Sequence, residues 1–136
     1  MEGHMGDYWN IANSAIDIRA YVSEGKMNSI ANAKQSFLPF GEGSKDGFCM
    51  RSENFENPIG EWTTLELICF EGKSLHIVNG HVVMVLKNSR YVDAGGNSIP
   101  LQKGKIQLQS EAAEVFYKDI QIKALKALPA EYSSLF

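Results

Sequence analysis

The dipeptide Asn79-Gly80 lies between two stretches rich in β-branched residues, and it constrains the fold more than any other feature of the chain. Asn-Gly is the strongest short-range signal for a β-hairpin, because a two-residue type I′ turn needs a positive φ at both central positions. We therefore predict a hairpin within Ser74–Leu86 that turns at this dipeptide. Its second arm includes Val82–Leu86, a continuously apolar run that is typical of a strand covered on both faces.

Alternating and apolar stretches extend the β prediction along the rest of the chain. In Ala15–Val22 the side chains alternate, so the apolar set should face the core and leave Asp17 and Arg19 on the open face. Recurrent short strands separated by turn residues predict an all-β fold, an antiparallel β-sandwich with little helix. The further predicted strands are Asp7–Ile11, Phe48–Glu53, Glu61–Phe70 and the two arms of a second hairpin, Lys103–Glu111 and Glu114–Lys123, which turns at Ala112-Ala113.

Length and composition predict a single domain over residues 1–136. The chain has 136 residues, of which 44% are hydrophobic and 21% are charged, and it contains no repeat or linker. From Ser23 to Gly47 the alternating pattern is lost, so 23–47 is predicted to be a long loop. Residues 129–136 are predicted to be a tail, preceded by a segment at Lys123–Leu128 that could form a helical turn.

Charge and apolar pattern argue against two classes of partner. The net charge is −3 with a pI near 5.6, whereas proteins that bind the nucleic-acid backbone usually carry a basic excess. No apolar run reaches the roughly 18 residues of a membrane helix, so we expect neither nucleic acid nor membrane as a partner. Met1–Asn10 lacks the basic and apolar regions of a signal peptide, and the protein is periplasmic or secreted if a leader precedes Met1.

The cysteine content does not indicate a disulfide scaffold. Cys49 and Cys69 permit at most one intramolecular disulfide, and a secreted disulfide-rich domain would have more cysteines. Cys69 shares a side of its strand with Leu65 and Leu67, so it is predicted to be a small buried apolar residue.

Polar side chains recur on two predicted strand faces. Trp62 and Glu66 share one side of a strand, and Gln109 and Glu111 share one side of another. A sugar lying across a concave sheet is held by such an aromatic ring with planar amide and carboxylate groups. The other interpretation is that these residues form the solvated outer face of an antiparallel sheet, where polar residues at alternate positions are expected. Both interpretations stay open at this stage.

Two basic residues and two histidines are further candidates. Arg51 either clamps a carboxylate or sugar hydroxyl or pairs with Glu53 or Glu56. Lys118 shares a side with apolar residues of its predicted strand, so a bulge must re-aim it or a carboxylate must pair with it. His76 and His81 flank the Asn79-Gly80 turn, where they either share a metal ion or lie on an exposed hairpin.

Four segments of the sequence together resemble a known family. They are EGHMGDYWNI at Glu2–Ile11, MRSENFENPIGEW at Met50–Trp62, HIVNG followed by HVV at His76–Val83, and GKIQLQSEAAEVFYKDIQIK at Gly104–Lys123. In this order they are similar to the 3-keto-disaccharide hydrolase family, whose members contain an E-G-x-x-G-D-[FY]-W segment. The resemblance implies a concanavalin A-like jelly roll. The family domain has several strands before that segment, so we expect this chain to be an N-terminally truncated version.

The resemblance also implies a type of chemistry. In a 3-keto sugar the ketone acidifies the neighbouring C–H bond, so a base can remove the proton, the aglycone can leave, and water can add to the enone. This needs a base and a group that holds the enolate oxygen, such as a metal ion, a Lys or Arg, or a His. Glycoside hydrolysis commonly uses two carboxylates. The predicted catalytic residues are Glu66, Glu111 and His76, and the predicted substrate-binding residues are Trp62, Gln109, Arg51, Asp7 and Lys118, although Asp7 could equally cap a turn.

The functional prediction keeps two alternatives. The favoured one is an enzyme that acts on 3-keto-glycosides or 3-keto-disaccharides, and the other is a non-catalytic carbohydrate-binding module of the same fold. In both the partner is a carbohydrate, and the candidate cofactor is a divalent metal ion. Exposed strand edges recruit partner strands, so a homo-oligomer is also expected if the sheet has open edges.

Overall fold

The computed structural model describes residues 3–42, 47–110 and 114–136, and these are nearly all β or irregular. The only helix in that part of the chain is one 3-10 turn at Ala130–Leu135, and no helix there is long and apolar enough to span a bilayer. The strands are β1 (Tyr8–Trp9), β2 (Ser14–Ser23), β3 (Lys26–Ser29), β4 (Phe37–Phe40), β5 (Phe48–Cys49), β6 (Leu65–Phe70), β7 (Lys73–Val78), β8 (His81–Val92) and β9 (Ser98–Pro100).

The strands form one large antiparallel sheet and one small ribbon. The sheet has seven strands in the order β3-β2-β8-β7-β6, with β4 also beside β2 and β9 beside β8. β1 and β5 form the two-stranded ribbon. The prediction of an all-β antiparallel fold is therefore confirmed, while the jelly-roll connectivity stays a prediction. Two strands, β3 and β4, lie within the stretch 23–47 that the sequence predicted as a long loop.

The Asn79-Gly80 hairpin forms at the predicted position. Val78 pairs with His81, and the two turn residues have φ values of 47° and 81°, as a type I′ turn requires. The Asn79 side chain donates to the carbonyl oxygen of Phe55 at 2.7 Å, which ties the turn to the preceding loop. The apolar run after the turn is covered on both sides, since Val83, Met84, Val85 and Leu86 are all fully buried.

Each face of the sheet has its own apolar core. On one face, here called the ribbon face, Met84 and Leu86 of β8 pack with Ile16 and Ile18 of β2 beneath Cys49 of the ribbon. The opposite face is here called the tail face, because residues near the C-terminus cover its cluster. The cluster comprises Ile68, Leu75, Ile77 and Val85, and the covering residues are Leu125, Leu128, Tyr132, Leu135 and Phe136. The predicted tail is thus part of the core.

The tail overturns the prediction that Arg19 lies on an open face. Arg19 is 5% exposed because the end of the chain covers it. Its guanidinium donates to the carbonyl oxygens of Leu135, Ala33 and Gln35, and it lies 4.2 Å from the centre of the Phe37 ring. Asp17, on the same face, is half-buried and accepts a hydrogen bond from Arg90 at 2.9 Å. Alternation in the sequence predicted that both side chains face solvent. It carries no information about a distant segment that packs over the sheet.

The second predicted hairpin does not form regular strands. Residues 103–110 and 114–123 contain no strand, and every described residue of 101–110 and 114–124, here called the arm, is exposed. A hairpin without a third strand or an apolar surface to pack on is marginal in water, which explains why alternation alone did not produce a ladder. Lys118 is exposed on the arm, so neither a bulge nor a carboxylate is needed to keep its charge out of an apolar interior. Glu111 and the predicted turn at Ala112-Ala113 lie outside the described residues.

The cysteines differ from one another in burial. Both are free thiols; Cys49 is buried under the ribbon, whereas Cys69 is exposed. The prediction of a buried Cys69 is wrong because Leu65 and Leu67, which share its side of β6, are exposed as well. Burial raises the pKa of Cys49 to about 11, with Asp7 adding to the effect, so this thiol is protonated near neutral pH.

Candidate functional site

An open cleft of about 140 Å³ lies on the ribbon face, between the loop before β1 and the outer strands β6 and β7. The chain positions that line it are Gly6, Asp7, Leu65, Glu66, Leu67 and His76. Strand pairing places Leu67 opposite His76, so an apolar side chain and an imidazole are neighbours on this wall of the cleft.

His76 is held in one tautomer. It lies in the middle of β7, between Leu67 of β6 and Met84 of β8, and its Nδ1 is 2.7 Å from the carbonyl oxygen of Gly6. A carbonyl oxygen can only accept, so Nδ1 donates the hydrogen and the neutral ring keeps its lone pair on Nε2. Nε2 has no hydrogen-bond partner in the described part of the chain. The imidazole can therefore act as a base toward a molecule in the cleft.

Burial keeps this imidazole neutral. It lowers the pKa of His76 below 6.5, while the Gly6 carbonyl and the Asp7 carboxylate act in the opposite direction without cancelling it. A general base is most effective when it is unprotonated at the working pH. Near neutral pH His76 is thus in the form that accepts a proton.

Gly6 is a glycine for two structural reasons. Its φ is 90°, a conformation that side chains disfavour, and a Cβ there would lie 2.6 Å from Cγ2 of Val83. The backbone therefore approaches the sheet closely enough for its carbonyl oxygen to reach His76. Sequence analysis did not single out Gly6 as a site residue, although it belongs to the EGHMGD segment that the resemblance identified.

Asp7 holds the loop around the cleft. Its side chain is 2% exposed, and its Oδ1 accepts from the backbone N–H of Arg51 at 2.8 Å and from the guanidinium at 3.3 Å. Its Oδ2 accepts from Nδ1 of His4 at 2.7 Å. Arg51 also pairs with Glu56 at 3.1 Å, one of the two carboxylates that the sequence offered as structural partners. Asp7 and Arg51 are therefore engaged with each other, and they shape the cleft wall and place negative charge near His76.

Replacing Asp7 with asparagine is expected to destabilise the fold. The change leaves the buried Arg51 guanidinium without one of its two carboxylates, and breaking a buried ion pair costs roughly 3–5 kcal/mol. Because Glu56 still compensates part of the charge, we expect the lower end of that range. Urea unfolding measures the effect, with Glu53→Gln, an exposed carboxylate, as the control. Equal midpoints for Asp7→Asn and the control would show that this pair does not hold the loop.

Glu66 lies on the other side of the sheet from His76. Along β6 the side chains alternate, so Leu65 and Leu67 face the cleft while Glu66 points with Ile68 to the tail face. The electrostatics agree: burial raises the pKa of Tyr132 in the tail, and the Glu66 carboxylate raises it further. The residue borders the cleft because it lies between the two leucines, and its predicted catalytic role stays a prediction.

The other predicted site residues are spread outside the cleft. Lys118 Nζ lies 4.3 Å from the centre of the Trp62 ring, a cation–π contact between the arm and the loop before β6. Gln109 lies on the arm, where its side chain accepts from Gln107 at 3.1 Å and its carbonyl accepts from the Tyr117 hydroxyl at 2.6 Å. The described structure therefore brings His76 and Asp7 together at the cleft.

Two leucines of the cleft were missed by sequence reasoning. Leu65 and Leu67 were assigned to the buried side of their strand, yet they are 56% and 57% exposed beside His76. The sequence carries no signal for this exposure, because alternation groups both leucines with Cys69 on the side that was predicted to be buried.

The described residues do not form a set of metal ligands. No group of three or more His, Cys, Asp or Glu residues among them could hold a metal ion. His81, the second histidine of the hairpin, instead stacks on Phe55 with ring centres 3.9 Å apart. The candidate divalent metal thus has no three-ligand site in this part of the chain, and we assign no step to it.

Comparison with known families identifies what kind of domain this is. The comparison places this all-β chain in a carbohydrate-active class of domain. The family model described as 3-keto-alpha-glucoside-1,2-lyase-like domain matches residues 4–123, most of the chain, so the protein belongs to that family. This confirms the resemblance found in the sequence. Neither the curated proteins nor the solved structures contain a match to the chain.

Proposed function

We propose that this protein removes the proton at C2 of a 3-keto-glycoside and expels the aglycone from C1. The observation that carries the proposal is the geometry of His76, a residue that lines the cleft and whose Nδ1 is committed to the Gly6 carbonyl, which leaves the lone pair of the neutral ring on Nε2. Membership of a family described as 1,2-lyase-like supports the reaction type. The finer assignment to this substrate and mechanism is our inference.

The proposed reaction is an elimination in two steps. The C2–H bond breaks, its proton goes to Nε2 of His76, and the electron pair is delocalised onto the ketone oxygen as an enolate. The enolate then collapses, the C1–O bond breaks, and the aglycone leaves with that bonding pair and takes up a proton. The product is an enone, and addition of water across its double bond would complete a hydrolysis.

The chain's own residues supply three parts of this chemistry. His76 accepts the proton, Asp7 places a negative charge that favours the imidazolium formed, and the Leu65 and Leu67 side chains exclude water from one wall. Glu66 is not assigned as the acid that protonates the aglycone, because its side chain faces the opposite side of the sheet.

The direct test uses a nitrophenyl 3-keto-glucoside. We expect release of nitrophenol, with the enone or the 3-keto sugar identified by NMR as the partner product. In D₂O, exchange of deuterium into C2 should accompany turnover, because His76 returns solvent deuterium to the enolate. If the protein binds the sugar but shows no nitrophenol release and no deuterium exchange, the enzymatic proposal is overturned.

That negative outcome corresponds to the second candidate, a carbohydrate-binding module. It is favoured by one observation: of the three predicted catalytic residues, His76 alone has its described side chain on the cleft's face of the sheet. Calorimetric titration with the 3-keto-glucoside separates the two, since a module binds the sugar and leaves it intact.

Lowering the pH below 6.5 is expected to reduce both turnover and the free energy of unfolding. The pKa of His76 is lowered from 6.5 in the folded state, so below pH 6.5 the unfolded chain binds more protons and stability falls as pH drops. The acid limb of kcat/KM should likewise lie below pH 6.5, because the neutral ring is the active form. Rate profiles and urea unfolding across this range check both. An acid limb above pH 6.5 would contradict the assigned base.

A further inference from the structure

Every described residue of the arm is exposed, and several of them are large and apolar. Ile106, Leu108, Phe116, Ile120 and Ile122 are all exposed, the last at 85%. Within each half of the arm they lie on one side of an alternating pattern, which is interrupted by Lys118 between Phe116 and Ile120, and this is the spacing of a strand with one mainly apolar face. Large contiguous apolar surfaces on proteins in water generally mark an interaction site.

The total surface supports the same conclusion. The chain exposes 10032 Å², whereas compact monomers of 15.1 kDa expose about 7,100 Å² by the usual scaling with mass. The excess, about 2,900 Å², exceeds the roughly 1,200–2,000 Å² that stable interfaces bury in total. The surface available is thus sufficient for a stable association between two chains.

Strand β6 lies at the edge of the large sheet, and some of its exposed side chains are apolar, like several of those of the arm. It is the last strand of the large sheet, and in the described part of the chain its outer side pairs with no strand. Its side chains alternate between exposed apolar Leu65 and Leu67 on the ribbon face and Glu66 on the tail face. An unpaired edge with such a face is a template for an added strand.

We propose that the arm of one copy adds as a strand to β6 of a second copy, and that the exchange is reciprocal. In this pairing Ile106 and Leu108 cover the exposed leucines of β6, and Lys105 lies on the same side of the sheet as Glu66. Cross-strand apolar and opposite-charge pairs both stabilise a ladder. A reciprocal exchange uses the same two surfaces on each copy, so it closes as a two-fold dimer.

Charge favours a second copy as the occupant. The described arm has four lysines and two carboxylates, whereas the whole chain has a net charge of −3, so the arm is basic and the remainder is acidic. Within one copy the arm contacts the loop before β6 through Lys118 and Trp62 but forms no strand pairing with β6 in the described residues. The inference does not use the proposed reaction, but Leu65 and Leu67 of β6 also line the cleft, so an added arm would border the cleft of the second copy.

Light scattering over a dilution series tests the dimer. We expect the unmodified protein to be dimeric and Gln107→Pro, which removes a backbone donor from the exposed arm, to be monomeric. A protein that is monomeric at every concentration would overturn the proposal. So would a dimer that Gln107→Pro leaves intact, because its interface would not involve the arm.

A charge exchange identifies the partner strand. Lys105→Glu and Glu66→Lys alone should each weaken the dimer about tenfold, because a like-charge pair recurs at both symmetric contacts. The double variant should restore the dissociation constant of the unmodified protein, and Lys34→Glu, on an exposed loop, should not change it. Absence of rescue in the double variant would overturn the pairing of the arm with β6.

Discussion

Replacing His76 with asparagine is expected to lower kcat/KM on a 3-keto-glycoside by roughly 10²–10⁴-fold, the usual contribution of a general base. Asparagine can still donate from its amide to the Gly6 carbonyl, so the loop should keep its position while the proton acceptor is lost. Steady-state kinetics with the nitrophenyl substrate gives the rate effect, and urea unfolding should show a nearly unchanged midpoint.

Two further variants make this prediction specific. His76→Ala removes both the base and the donor to Gly6, so it should lose activity and also some stability. His81→Asn changes the other hairpin histidine, which stacks on Phe55 away from the cleft residues, and should retain activity. If His76→Asn turns over substrate as fast as the unmodified protein, His76 is not the base. If His81→Asn is the inactive variant, the wrong histidine has been assigned.

Deleting Leu135 and Phe136 is expected to destabilise the protein by roughly 3–5 kcal/mol, the cost of removing one large core side chain, because two partly buried side chains are lost together. The deletion uncovers the cluster on the tail face and removes the carbonyl that accepts from Arg19. A buried guanidinium that loses one of its acceptors adds a desolvation penalty. Since folded domains are stable by only about 5–15 kcal/mol, the loss should be large in urea unfolding.

The matched control for the deletion is Ser134→Ala, an exposed position of the same 3-10 turn, which should unfold at the original midpoint. Arg19→Met keeps the tail but removes its hydrogen bonds, and it should fall between the control and the deletion. Any activity should survive in the folded fraction, because the cleft opens on the opposite face. An unchanged midpoint for the deletion would mean that the tail does not belong to the core.

The strand pattern was predictable where it depends on neighbours in sequence. The Asn79-Gly80 turn follows from the φ preferences of two adjacent residues, and the buried run after it follows from uninterrupted apolar side chains. The same reasoning failed for Lys103–Lys123, whose alternation is as regular. A strand needs a partner, and alternation carries no information on whether one is available.

The candidate site was predictable in part. His76 and Asp7 were named from the sequence, and the fold brings both to one cleft. Glu66 was named as well, but the register of β6 turns its side chain to the opposite face, and a shift of one residue is enough to decide this. Leu65 and Leu67 line the cleft because they are exposed, and Gly6 lines it because its backbone approaches the sheet closely. Both features depend on how segments distant in sequence pack.

The amino-acid order alone established an all-β chain, its central hairpin and its family, because turn preferences, apolar periodicity and local motifs are properties of short stretches. Tertiary structure alone decided that Arg19 is buried, that Cys69 and its neighbouring leucines are open, and that His76 lines a cleft with its Nδ1 bound to the Gly6 carbonyl oxygen. Each of these depends on a segment distant in sequence. Whether a surface is buried is decided by the segment that packs on it, and the residues of the surface do not specify that segment.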